Sequence, residues 1–445
     1  MEEEEKSDRL HIVVIPWVGF THVSPFFELS KRMAQLGHHI SFISTKPNIE
    51  RLASDHSSAS PSPSPSPSIQ LVPLPGEDLD SLQEPFTDFL RNSSPPPDWI
   101  LFEFFAYWAT SIAARLGIRC ALVSPYGAAA NGFIWPTMRL NSKPEIGAVT
   151  APLDWVPFTT TVAYRTHEAR RILDLIFGTD ASGLMGNYRV RLSVTQCDVV
   201  ALRSCGELEP EWLQLLPQLY HKPVVPLGHF PPTDSGSSLT EDWEEAFAWL
   251  DEQQLGSVVY VAFGSELDLS QDQVDQLAHG LEQANLPFLW AFRSSKGEKP
   301  NTLPYGFEGR IRGGFGFVRT GWAPQVRILG HPSVGGFLTH CGWNSLVEAL
   351  QFGLGLVLLP LAYDQGLNAR LMADKGIGLE IPRNDEDGYF SGADVAKMLR
   401  SVMVEPRGKE LRDRAKELKG VLGSKELHDK YVREFIEFLK ENKNS

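Results

Sequence analysis

The chain has 445 residues, too many for one ordinary hydrophobic core, so two domains are expected. Its formal net charge of −14 repels phosphate and excludes nucleic acid as a partner. No run of ~18 or more apolar residues occurs, and no basic start leads into an apolar segment. Neither a membrane span nor a signal peptide is expected, and the expected location is cytoplasmic.

Glu2 to Glu5 form an acidic run, read as a solvated tail. Residues 11–16 read as a buried strand, 17–22 as a loop, and 25–36 as a helix with Phe26, Leu29, Met33 and Leu36 on one face. Residues 40–44 are the next strand, completing a βαβ opening. Residues 51–70 form a Ser/Pro-rich loop, whose alternating Pro61, Pro63, Pro65 and Pro67 cannot build a core. A strand follows at 98–104, a helix at 107–116 and a strand at 120–123. Residues 126–195 look irregular, except for a helix over 165–176 and a mixed segment near Tyr188. After a strand at 197–202, residues 227–240 are rich in Pro, Gly and Ser and read as a linker.

Beyond the linker come a helix (241–250), a strand (258–263) ending in Gly264 and Ser265, a helix (271–285) and a strand (288–291). Residues 425–440 place Tyr431, Phe435, Phe438 and Leu439 on one helical face, which must dock. The four cysteines, Cys120, Cys197, Cys205 and Cys341, form no CxxC pair and read as buried free thiols. Two βαβ-rich halves imply an α/β chain of two doubly wound domains.

The richest stretch is 322–365. An apolar strand (335–339) runs into His340-Cys341-Gly342-Trp343-Asn344-Ser345, and residues 346–350 turn helical. A helix N-terminus presents unbonded N–H groups and the positive end of its dipole, which suits a phosphate. A second strand (356–360) leads to Asp364 and Gln365, so polar side chains reach one edge of a sheet, where α/β sheets bind ligands. Through Trp322, Gln325, His340, Gly342, Trp343, Asn344, Ser345, Glu348, Asp364 and Gln365 at matching spacing, this stretch resembles the signature box of plant family-1 UDP-sugar glycosyltransferases. The resemblance implies the GT-B fold, two Rossmann-like doubly wound parallel-sheet domains facing a cleft. The expected parts are an acceptor-binding domain (1–230), a UDP-sugar-binding domain (231–425) and a last helix (426–445) packing back on the first domain.

Glycosyl transfer needs a base for the acceptor hydroxyl, stabilisation of the departing UDP and a held sugar. His22, in the loop after the first strand, has a side chain suited to the base, and the resemblance implies that role. The family's histidine is oriented by an aspartate; here Glu103 stands there, one methylene longer, so either the loop shifts or the dyad weakens. The resemblance further implies that Trp322 stacks on uracil, next to donor-binding Ala323, that Gln325 meets the ribose or the base edge, and that Glu348 takes the ribose. His340, Asn344 and Ser345 would meet the diphosphate, aided by Gly264 and Ser265, Trp343, Asp364 and Gln365 would hold the sugar, and Gly342 is a further donor-binding position. Phe20, Tyr126, Phe133 and Trp135 are expected to line an apolar acceptor pocket.

Asp78-Leu79-Asp80 and Asp385-Glu386-Asp387 both fit a DxD metal pattern, but two such matches are expected by chance in an acidic chain. No metal and no cofactor is expected; UDP-sugar is a co-substrate. Gly355 stands where the family usually has proline, which implies a small stability cost. Residues 16–20, 367–370 and 375–378 resemble the subgroup that extends existing glycosides. The expected activity is thus inverting, metal-independent transfer of a hexose from a UDP-sugar to a flavonoid or terpenoid glycoside, with glucose favoured and rhamnose second. Two other classes stay open, a UDP-sugar epimerase and a non-catalytic UDP-sugar-binding protein; release of UDP only when an acceptor is present separates them from a transferase.

Overall fold

The computed structural model describes residues 9–57, 69–76, 80–179, 183–232, 239–265, 268–295, 300–311 and 315–443. The chain divides into two compact units. One comprises Met1–Pro144, Leu173–Pro232 and Lys425–Ser445, the other Glu145–Ile172 and Thr233–Ser424.

The first unit is built on strands β1 (His11–Ile15), β2 (His39–Thr45), β3 (Ile69–Leu74), β4 (Trp99–Phe102), β5 (Arg119–Ser124), β6 (Val199–Leu202) and β7 (Val224–Pro226). They are all parallel, in the order β3-β2-β1-β4-β5-β6-β7. The second unit is built on β8 (Val258–Ala262), β9 (Phe288–Phe292), β10 (Gly316–Thr320), β11 (Val334–Thr339), β12 (Gly355–Leu358) and β13 (Gly378–Glu380). These are also parallel, in the order β10-β9-β8-β11-β12-β13. Strands such as β1, β4 and β8 are buried along their whole length. That explains their unbroken apolar sequence, since a parallel sheet is covered on both faces. In each sheet the strand order reverses once, between β1 and β4 and between β8 and β11. The connections leaving those strands diverge and open a crevice at their carboxyl ends.

The terminal helix, Lys425–Glu441, buries Val432, Phe435, Ile436 and Leu439 in the same core as Phe26, Met33 and Trp99. Trp99 Nε1–H donates to the Leu439 carbonyl (3.0 Å), and Lys443 pairs with Asp98 (2.6 Å). Tyr431 does not share that apolar face. Its hydroxyl donates to Glu207 (2.8 Å) and accepts the Gly206 N–H (2.9 Å).

Several expectations are corrected. The continuous domain 1–230 is interrupted, because Glu145–Ile172 belongs to the second unit. That segment is held by polar contacts, such as Thr161 on Asp374 and Arg165 on Glu380, which apolar periodicity does not register. His22 is not in a loop: the helix runs Phe20–Gln35 with Pro25 inside it, so it begins before the expected 25–36 span. The 51–70 loop is too wide. Its first part belongs to the Lys46–Ser57 helix and its end to β3. Its Ser/Pro core at 58–68 lies outside the described residues, as do Glu2 to Glu5, Asp78, Leu79 and 233–238 of the linker. Ala128–Met138, read as irregular, is a helix buried on most sides, which erases the amphipathic stripe. Among the described residues no helix is long and apolar enough to cross a membrane.

Phe435 is fully buried, so Phe435→Ala should destabilise the first unit by about 3–5 kcal/mol. Lys430→Ala, on the exposed side of the same helix, should stay within about 0.5 kcal/mol of the parent. Urea unfolding of the two variants checks this; equal midpoints would contradict a core role for the helix.

Candidate active site

The first unit's crevice lies at the ends of β1 and β4, where Ile15 is paired beside Phe102. The chain leaving β1 enters the Phe20–Gln35 helix, with Gly19 as N-cap and His22 in the first turn. The chain leaving β4 presents Glu103, fully buried in extended backbone. His22 Nδ1 lies 2.6 Å from Glu103 Oε1, and the Trp17 N–H donates to Oε2 at 3.0 Å. An ionised carboxylate only accepts hydrogen bonds, so in this contact Nδ1 is the donor. The extra methylene of glutamate is therefore absorbed without loosening the contact. Both carboxylate oxygens are satisfied, as burial of a charge demands.

Aromatic rings close a circuit around this imidazole. Trp17 meets His22 edge-on (4.7 Å between centroids) and stacks on Phe105 (4.6 Å). Phe105 adjoins Phe104 (4.1 Å), Phe104 faces Tyr126 (6.4 Å), and Tyr126 returns edge-on to His22 (5.9 Å). All four aromatic residues are half-buried. Of the expected acceptor residues, Tyr126 belongs to this circuit, and Phe20 lies half-buried under the Arg51 guanidinium. Phe133 (0% exposed) and Trp135 (4%) do not line a surface; they are core, with Trp135 Nε1–H donating to the Leu219 carbonyl. Sequence reasoning missed Trp17, Phe104 and Phe105. Their signal was position, directly after the two strands that deliver His22 and Glu103.

The second unit's crevice lies at the ends of β8 and β11, where Ala262 pairs with Thr339. One and two residues further on stand Phe263, Gly264 and His340. A Cβ on Gly264 would lie 2.7 Å from His340 Nε2, and one on Gly342 would lie 2.6 Å from it, so both glycines make room for the ring. Gly264 also has φ of +74°, which glycine adopts without strain. Burial, and then the nearby Arg293 cation, pull the His340 imidazole down to about 4, so it is neutral at pH 7. Its Nδ1 is buried with no hydrogen-bond partner among the described residues. Gly342 is N-cap of the Trp343–Leu350 helix, and among the described residues no side chain makes a cap hydrogen bond to it. The positive end of that helix therefore lies beside a neutral N–H donor, an arrangement that fits an anion.

Gln325 Nε2 donates to Glu348 Oε2 (2.7 Å) and Ser345 Oγ (3.2 Å), joining three expected donor residues in one network. The Ala323 carbonyl accepts the Gln325 N–H (2.8 Å), and the Trp322 indole next to it is 67% exposed. Asp364 and Gln365 are buried at the start of the Gln365–Asp374 helix. Asn368 Nδ2 donates to Asp364 Oδ2 (2.7 Å), and Gln365 Oε1 accepts the N–H groups of Leu361 and Ala362 (2.9 Å each). Trp343 is 4% exposed, about as buried as Asp364 and Gln365. Arg293, missed from sequence, donates to the Ser265 carbonyl and to Asp268 (3.1 Å).

Among the described residues the DxD carboxylates have partners elsewhere. Asp385 accepts the Thr166 N–H (3.2 Å) and hydroxyl (2.5 Å), Asp387 accepts the Tyr389 N–H (2.9 Å), and Asp80 pairs with Arg189 (2.7 Å). Gly355 is more than a relaxed substitute for proline. A Cβ there would lie 2.9 Å from both Arg412 Cγ and Val402 Cγ1, so the glycine makes room for packing.

The family model for UDP-glucoronosyl and UDP-glucosyl transferases matches residues 241–415. UDP-glycosyltransferase 91C1 of Arabidopsis thaliana is 40% identical, over 99% of this chain and 99% of that protein. Soyasaponin III rhamnosyltransferase of Glycine max is 37% identical, over 97% and 95%. A UGT transferase of Siraitia grosvenorii, crystallised with UDP, shares the fold with a TM-score of 0.80 at 22% identity, over 97% of this chain and 100% of that one.

The unfolded chain protonates His340 near pH 6.5, the folded chain only near pH 4. Between those values the unfolded state holds more protons, so stability falls as pH drops through that window. At pH 5, His340→Gln should take up about one proton fewer on unfolding, measured as a shallower pH dependence of the urea midpoint. An unchanged slope would contradict the burial of this imidazole.

Proposed function

The chain belongs to the UDP-glycosyltransferase family, and on that premise we propose inverting transfer of a hexose to a small-molecule plant glycoside, with His22 as general base. Glucose is the favoured sugar and rhamnose the second; the relative named for rhamnosyl transfer to soyasaponin III supports keeping both. The acceptor group is a hydroxyl on a sugar already attached to a flavonoid or terpenoid.

The observation that carries the mechanism is the 2.6 Å contact between His22 Nδ1 and the fully buried Glu103. With Nδ1–H committed to the carboxylate, Nε2 takes the proton of the acceptor hydroxyl as its oxygen attacks the anomeric carbon. The bond from that carbon to the diphosphate oxygen breaks, UDP departs, and the single displacement inverts the centre. Glu103 stabilises the imidazolium that forms. The half-buried rings around His22 give an apolar wall for the aglycone and faces on which a sugar ring can stack. On the donor side, Trp322 supports the uracil, Glu348 with Gln325 takes the ribose, and neutral His340 with the Trp343–Leu350 helix start stabilises the diphosphate. Asp364 and Gln365 hold the sugar; the Gln365 amide nitrogen makes no hydrogen bond among the described residues.

UDP release from UDP-glucose and from UDP-rhamnose, with and without a flavonoid or diterpenoid glycoside, tests the reading. Release that requires acceptor is the expected result; consumption of donor without acceptor, or binding without turnover, would sink it. His22→Ala and Glu103→Gln should each lower kcat by about 100-fold or more while leaving UDP affinity in place. A Glu103→Gln enzyme with parental kcat would remove the dyad from the mechanism.

A further inference from the structure

Residues 160–171 lie as a strap along the Gln365–Asp374 helix. At the helix's C-terminal end, Asp374 accepts the hydroxyls of Thr160 (2.8 Å) and Thr161 (2.6 Å) and the Thr161 N–H (2.8 Å). At its N-terminal end, Gly366 approaches the Glu168 carboxylate so closely that a Cβ would lie 2.4 Å from Oε2 and 2.7 Å from Oε1. Between them stands buried Arg370. It donates to Glu168 Oε1 (3.2 Å), to Glu168 Oε2 and to the Ala163 carbonyl (3.0 Å). The strap also reaches the chain just before the helix, where Arg171 Nη1 donates to the Leu361 carbonyl (3.4 Å). The Leu361 N–H is one of the two that Gln365 Oε1 accepts.

Building on the reading that Asp364 and Gln365 hold the donor sugar, we propose that Glu168 and Arg370 are positioning residues for that sugar. Their buried ion pair ties the strap to the helix, fixes the turn that carries Asp364 and Gln365, and so sets which UDP-sugar is used. Two arguments favour this over a plain stabilising role. A buried ion pair is a poor source of stability compared with apolar side chains of similar size, yet its bidentate geometry is specific. Discrimination between sugars that differ in one hydroxyl depends on polar groups placed to within a fraction of an ångström, and a shift of that size costs rate without loss of fold. The same burial, with the carboxylates of Asp364 and Glu168 close by, pushes the Tyr164 phenol well above its ordinary range, which marks how near the pair stands to the turn.

Removing one partner would leave a buried unpaired charge, so the test uses the double variant E168Q/R370M. The R370M change also removes the Arg370–Glu380 contact (3.4 Å), but Arg165, 3.1 Å from Glu380, remains to pair with it. Thr161→Val is a milder second variant that loosens the strap at the far end of the helix. Full-length proteins are assayed with UDP-glucose, UDP-galactose and UDP-rhamnose against one flavonoid glycoside, and UDP binding is measured by calorimetry. The double variant should keep UDP affinity within about 2-fold, lose about 10- to 100-fold in kcat/KM with the preferred donor, and lose most of its preference among the three. Thr161→Val should move the donor ratio in the same direction by less. Unchanged donor ratios in a folded variant overturn the proposal, as does parallel loss of UDP binding, which would mark a general structural role. A parent enzyme that transfers from none of the three donors overturns the reading of the site itself, and this proposal with it.

Discussion

A parallel sheet whose strand order reverses leaves a crevice at the carboxyl ends of the two strands flanking the reversal. Nearly all of the chemistry in this chain follows from that constraint, applied twice. Between β1 and β4 it brings His22 and Glu103 together although 81 positions separate them in sequence. Between β8 and β11 it sets Gly264 against His340 and places the start of the Trp343–Leu350 helix beside them. The neighbouring strand β12 then leads into the turn of Asp364 and Gln365. Strands buried on both faces cannot shift register without exposing apolar surface, so these positions are held by the core itself.

Within that frame, two histidines are given different tasks by their neighbours. His22 stands beside a buried carboxylate that orients it through Nδ1. His340 is buried near a guanidinium, both of which disfavour the charged form and keep it a neutral donor. In the proposed transfer the first imidazole accepts a proton and the second offers a hydrogen bond. Glu103 can be buried because both of its oxygens find donors, one of them the Trp17 backbone N–H, so the stretch just before the helix is fixed by the same group that orients His22.

The doubly wound class and most strands were legible in the sequence, because fully buried parallel strands write themselves as continuous apolar runs. The signature stretch was legible because its residues are consecutive and its spacing is fixed. What failed to show has physical reasons. Ala128–Met138 is buried on too many sides to carry a stripe. Phe133 and Trp135 have the composition of pocket walls and the position of core, and composition cannot tell the two apart. Trp17, Phe104 and Phe105 surround His22 only because two distant strand ends meet. The allegiance of Glu145–Ile172 is set by ion pairs and hydroxyl contacts, which leave no periodic trace.

The central claim is that Glu103 holds His22 in one tautomer, with the proton on Nδ1 and the lone pair on Nε2. Nitrogen-15 NMR of imidazole-labelled protein at neutral to slightly alkaline pH, with His22→Gln to identify the signals, measures this directly. A protonated Nδ1 and an unprotonated Nε2 for His22 is the predicted result, with the preference lost in Glu103→Gln. A proton resident on Nε2 in the parent protein would contradict the account.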